Sequence, residues 1–114
     1  MPKLSLRIYL DPEGQIGRGK IELLEKIAAL GSISAAGRAM NMSYRRAWVL
    51  VEEMHRIFGK PVAACQIGGK HGGGAALTPF GVELIGRYRA IERAVLDAAR
   101  PELEALQNEI RRAD

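Results

Sequence analysis

Five of the seven residues from Gly68 to Gly74 are glycine, the other two being Lys70 and His71. Neither a helix nor a strand interior tolerates that density, because glycine loses more backbone freedom on ordering than any other residue. The run must therefore be a turn, and it divides the chain. Val62–Ile67 before it and Ala75–Leu77 after it are short enough and bare enough of charge to flank it as strands. A hairpin over about 62–77 is expected, with its glycine tip free to lie close to another molecule's backbone.

Upstream of the hairpin the pattern is helical. Ile21, Leu24, Ile27, Ala28 and Leu30 recur on one side of a first helix, which Gly17-Arg18-Gly19-Lys20 leads into and Gly31 ends. Ser32 caps a slim second helix from Ile33 to Met40, and Asn41-Met42 turn the chain. Ser43 then caps a third helix to about Phe58, with Ala47, Leu50, Val51, Met54, Ile57 and Phe58 inward. Ahead of all this, Leu4–Leu10 alternates as a strand that Asp11-Pro12-Glu13-Gly14 ends.

Downstream, Thr78 caps a helix with Pro79 at its first position. Leu84, Tyr88, Ile91, Val95 and Ala98 follow at alternating spacings of four and three. That seam suits packing on a partner helix as well as on the chain's own core. Pro101 is expected to break or kink the helix, leaving Glu102–Arg112 to form a last turn or two with Leu103, Leu106 and Ile110 inward. The fold class is thus mainly α with a small β-hairpin wing: a winged helix-turn-helix with a long C-terminal dimerisation helix. It reads as a single domain, 1–114, with the helix-turn-helix at about 32–58, the wing at about 62–77 and the dimerisation helix at about 79–112.

Several functions are excluded at this level. The 114 residues, 47% hydrophobic and 26% charged, make one ordinary globular domain. Cys65 is alone and the two histidines, His55 and His71, sit on different elements, so neither a metal site nor a nucleophile–base pair is expected. The Gly68–Gly74 run is not a nucleotide-binding loop, since Lys70 is followed by His71 and glycines where a serine or threonine opening a helix is required. No enzyme is expected, and no cofactor within the chain. Met1–Leu10 is too short and too charged for a signal peptide, and no uncharged run approaches a membrane span. A cytoplasmic protein without membrane contact is the expectation.

The net charge of +4 has an address. Between Ser32 and Ala75 six basic residues face two acidic ones, whereas the rest of the chain holds eleven of each. One contiguous third therefore carries the whole excess, which suggests a polyanion-facing surface. The third helix opens with Ser43-Tyr44-Arg45-Arg46, a hydroxyl, a phenol and two guanidiniums able to bond phosphates or base edges. Lys70 and His71 at the hairpin tip can follow the backbone. Ser32 and Ser34 flank the start of the second helix, Ser32 foremost as its cap. Trp48 reads as a packing residue at the edge of this face.

Gly31-Ser32-Ile33-Ser34-Ala35-Ala36, Met42-Ser43-Tyr44-Arg45-Arg46-Ala47-Trp48 and Gly68 through Thr78 closely resemble the N-terminal DNA-binding domain of the ModE-type, molybdate-responsive transcription regulators. The winged helix of that family is LysR-like, and the likeness here covers roughly residues 17–98. It implies a homodimer on a partly palindromic operator in double-stranded DNA, with one recognition helix per half-site. It places Ser43, Tyr44, Arg45 and Arg46 at the start of the recognition helix and Lys70 and His71 on the wing. No counterpart of the family's molybdate-binding domains is expected within these 114 residues. Molybdate is expected to act only through a separate effector-binding partner. The alternative is a winged-helix protein-interaction module without sequence-specific DNA binding, and a weaker one is a small-anion binder that uses the glycine loop.

Overall fold

The computed structural model describes residues 2–66 and 74–110. Strand β1 (Arg7–Leu10) pairs antiparallel with β2 (Gly14–Gly17), Arg7 opposite Gly17 and Leu10 opposite Gly14. Helices α1 (Arg18–Leu30), α2 (Ile33–Ala39) and α3 (Tyr44–Phe58) follow. A second antiparallel pair, β3 (Ala63–Gln66) and β4 (Gly74–Leu77), sets Ala63 opposite Leu77. Helix α4 (Pro79–Asn108) completes the order, which is that of a winged helix.

One hydrophobic cluster joins these elements. Ile21, Leu24 and Ile27 of α1 are fully buried, together with Val51 and Met54 of α3 and Val62 before β3. Leu23 belongs to the same core, while Ala28 and Leu30 lie exposed and do not share the inward stripe expected of them. The cap residues behave as their chemistry dictates. Ser32 Oγ accepts from Ala35 N at 2.9 Å, and Gly31 takes the left-handed conformation (φ 75°) that closes α1.

The wing joins the long helix through one residue. Thr78 N donates to Val62 O at 3.0 Å, Thr78 Oγ1 donates to Pro61 O at 2.8 Å, and the same oxygen accepts from Gly81 N at 3.0 Å. Val62 O lies so near that a Cβ placed on Gly81 would sit 2.1 Å from it.

Four further expectations need correction. The lead-in expected over Gly17-Arg18-Gly19-Lys20 is the end of one strand and the first turn of α1: Gly14–Gly17 is a strand with Ile16 buried, and its flanking glycines hide its alternation. Helix α4 runs unbroken through Pro101 to Asn108. Strong helix formers (Ala98, Ala99, Arg100, then Glu102, Leu103, Glu104) carry it on either side, and the exposed position leaves the freed carbonyl in reach of water. Leu106 and Ile110 are 67% and 59% exposed, because α4 extends past the rest of the chain and nothing covers its last turns; Leu103 is only half-buried. Finally, Leu84 and Tyr88 belong to the chain's own core, so only Ile91, Val95 and Ala98 of that seam face outward.

Tyr88 is 2% exposed, and its hydroxyl donates to Leu6 O at 2.7 Å, pinning the N-terminal segment to α4. Burial pushes its phenol above the ordinary value of 10. A raised folded-state pKa means this contribution is complete below pH 10 and erodes as pH climbs through the raised value. Tyr88→Phe is expected to lose about 1 kcal/mol, or about 5 °C in Tm. Melting curves between pH 9 and 11 should then fall less steeply for the variant than for the parent. Equal slopes would show that Tyr88 is not the titrating group.

Candidate nucleic-acid interface

The approach of α2 to α3 presents the start of α3 to solvent. At Gly37 an added Cβ would lie 3.2 Å from the Ala47 Cβ, so the two helices nearly touch backbone to backbone. Met42 N donates to Gly37 O at 2.9 Å, and Asn41 supplies the left-handed residue (φ 58°) that lets so short a turn close. Ser43 then caps α3, its Oγ accepting from Arg46 N at 3.0 Å.

On a helix turning 100° per residue, buried Ala47, Leu50, Val51 and Met54 fix the inward direction of α3. Arg45 falls in the middle of the opposite face, in line with exposed Val49, Glu52 and Arg56. Tyr44 and Trp48 lie on one flank and Arg46 on the other. The flanks open onto different concavities. Tyr44 shares a groove with Ser32, Ser34, Cys65 and Gly74, whereas Arg46 borders one with Arg7, Lys20 and Glu53. The first groove exists because the wing is stitched to the helix-turn-helix: Ala75 N donates to Gly31 O at 2.8 Å.

Charge pairing neutralises several basic residues elsewhere, although Lys3, Arg7, Lys26 and Arg93 also have no carboxylate partner among the described residues. Arg18 pairs with Glu22, Lys20 with Glu53, Arg87 with Glu83, and Arg89 with both Glu25 and Glu92. Among the described residues, the arginines of α2 and α3 (Arg38, Arg45, Arg46 and Arg56) have no carboxylate partner. Unneutralised guanidiniums on an exposed face are free for an external anion.

The hydroxyls show a common arrangement. Ser32 accepts from Ala35 N, Ser43 from Arg46 N, Ser34 from Arg38 Nη1 at 2.8 Å, and Tyr44 from Trp48 Nε1. Each oxygen has one acceptor site engaged within the chain and still holds a proton to give. Phosphate oxygens only accept, so this edge of donors is matched to them.

The structure thus brings Ser32, Ser34 and Tyr44 around one groove, and sets Ser43, Arg45 and Arg46 on the adjoining helix end. Lys70 and His71 lie outside the described residues. Reading the chain by helix starts missed Arg38, whose guanidinium reaches back to Ser34; its only signal was membership of the basic window. Among the described residues no cluster of histidine, cysteine and carboxylates is placed to hold a metal ion, and no helix is long and apolar enough to cross a membrane.

No protein-family profile matches the chain. It is 46% identical over 81 residues to the molybdenum-pterin-binding protein MopB of Rhodobacter capsulatus, covering 71% of this chain and 30% of that one. It is 35% identical over 91 residues to the transcriptional regulator ModE of Haemophilus influenzae (80% and 33%). It is 37% identical over 86 residues to the DNA-binding transcriptional dual regulator ModE of Escherichia coli (75% and 30%). The chain spans about a third of the length of these relatives.

Proposed function

This chain is a homologue of the ModE-type transcription regulators and Mop proteins over most of its own length, and from that premise we propose that it is the DNA-binding part of such a regulator. The observation that carries the reading is the unpaired guanidinium face of α3 beside an edge of hydroxyl donors. The start of α3 enters the major groove, Arg45 facing base edges and Arg46 and Tyr44 the flanking phosphates. The first backbone N–H groups of α3 add to the phosphate contacts. Hairpin residues Lys70 and His71 follow the adjoining backbone.

Two copies bind a partly palindromic site. The outward seam of Ile91, Val95 and Ala98 on α4, 44% and 38% exposed at the first two, supplies the contact between them. Regulation follows from occupancy of a promoter, in the cytoplasm. The molybdenum in MopB's name attaches to a chain of which this one covers 30%, and we assign any such response to residues outside these 114.

Selection from a random duplex pool at two salt concentrations tests this. The expected product is a two-fold symmetric consensus, bound less tightly as salt rises. No recovery of duplex at either salt concentration would instead favour a winged-helix module docking another protein, for which the exposed apolar residues of α4 are the surface.

A further inference from the structure

Trp48 is half-buried against the core, and its indole Nε1 donates to the hydroxyl of Tyr44 one turn earlier. The rings meet edge to face, 6.4 Å between centroids and 82° between planes. Tyr44 itself is 55% exposed and stands at the first position of α3, on the groove it shares with Ser32 and Ser34. An exposed tyrosine at a helix end would ordinarily sample several rotamers, with its proton flipping between the two orientations in the ring plane. Here one side chain restrains both motions.

We infer that Trp48 is a positioning residue for DNA contact: it holds Tyr44 so that the phenol presents its single proton to a backbone phosphate. The inference rests on the DNA-binding reading above. Three physical steps carry it. The edge-to-face contact and the hydrogen bond fix the ring, so little side-chain entropy remains to be lost on binding. The indole N–H occupies one acceptor position of the phenol oxygen, which turns the O–H to the side away from Trp48. Accepting a hydrogen bond also polarises the phenol and strengthens it as a donor. What is left exposed is a fixed donor, and its complement is an anionic oxygen with no proton of its own.

The position of Trp48 is consistent with this role and not with direct reading. It lies 40° around the helix from Tyr44, on the side toward Arg45, yet its ring is half-buried against the core and its only N–H is engaged. Packing alone would be satisfied by phenylalanine; the hydrogen bond would not.

The test uses the full chain, a duplex from the selection at fixed salt, and Trp48→Phe, Tyr44→Phe and the double variant. Each single change is expected to weaken binding about tenfold, and the double no more than the weaker single. Multiplying effects, or wild-type affinity in Trp48→Phe with an unchanged melting temperature, would overturn the inference. Trp48 is the single tryptophan, so its indole N–H gives one resonance in a nitrogen–proton spectrum. Tyr44→Phe leaves Trp48 in place and is expected to move that resonance upfield; no movement would overturn the inference even if Trp48→Phe failed to fold. Arg45→Ala separates the two readings. If it lowers duplex affinity while Trp48→Phe does not, the DNA reading stands and the positioning role falls. If the parent chain binds no duplex, both fall.

Discussion

Replacing Arg45 and Arg46 together by alanine is expected to lower affinity for the selected duplex by about a hundredfold at physiological salt, with no loss of fold. Each side chain is exposed and has no carboxylate partner among the described residues, so its removal leaves no unsatisfied group behind. Two contacts at about 1.4 kcal/mol each give the hundredfold: for Arg45 near the low end for a guanidinium contact to a base edge, for Arg46 a charge-assisted contact to phosphate. The single variants should differ in kind. Arg45 stands mid-face, so Arg45→Ala should relax preference at one base position and leave the salt slope nearly unchanged. Arg46 stands on the flank, so Arg46→Ala should reduce the logarithmic salt slope by about one and leave the sequence preference intact. Titration of both against matched and mismatched duplexes reads this directly. Unchanged affinity in the double variant would remove α3 from the interface.

Gly81→Ala should be the most destabilising single methyl in the chain, even though alanine ordinarily strengthens a helix by up to about 1 kcal/mol over glycine. The added carbon would fall 2.1 Å from Val62 O, a backbone atom fixed by the bond it accepts from Thr78 N. Nothing flexible is available to yield. The first turn of α4 would have to separate from the wing's root, and overpacking of that kind costs about 1–3 kcal/mol. A Tm lower by about 10 °C is expected. Gly86, in the same helix with nothing within 4 Å of its added carbon, is the control. Gly86→Ala should raise Tm by a few degrees. Two alanines of opposite sign in one helix would establish the close approach; a stabilising Gly81→Ala would disprove it.

Most of the helix boundaries were legible because they are written in single residues. Ser32, Ser43 and Thr78 each accept a backbone N–H three residues on, and Gly31 and Gly59 take the left-handed conformation that ends α1 and α3. What was not legible depended on context beyond the local pattern. Strand β2 has two side chains between two glycines, too few to show alternation, and it exists because β1 pairs with it. Pro101 signals a break in isolation, yet the helix formers around it outweigh one lost hydrogen bond at an exposed position. Tyr88 fits a partner-facing seam by spacing, and only the proximity of Leu6, eighty-two residues earlier, turns it inward. At the candidate site, residue types gave the chemistry of Ser43-Tyr44-Arg45-Arg46. They did not give its handedness: that Arg45 stands central while Tyr44 and Arg46 overlook separate grooves follows from which side of α3 meets the core.

The one-residue joint at Thr78 gives the molecule a gear ratio. Helix α4 is a rod about 45 Å long whose near end is bonded to the root of the wing. Leu84, Tyr88 and Arg89 dock its first three turns, so a tilt of about ten degrees in how that end is held sweeps the far end, about 28 Å beyond Arg89, through about 5 Å. Small differences in how the wing and core are held are thereby magnified at Asn108. Whatever grips the distal rod meets an enlarged record of the posture of the other end.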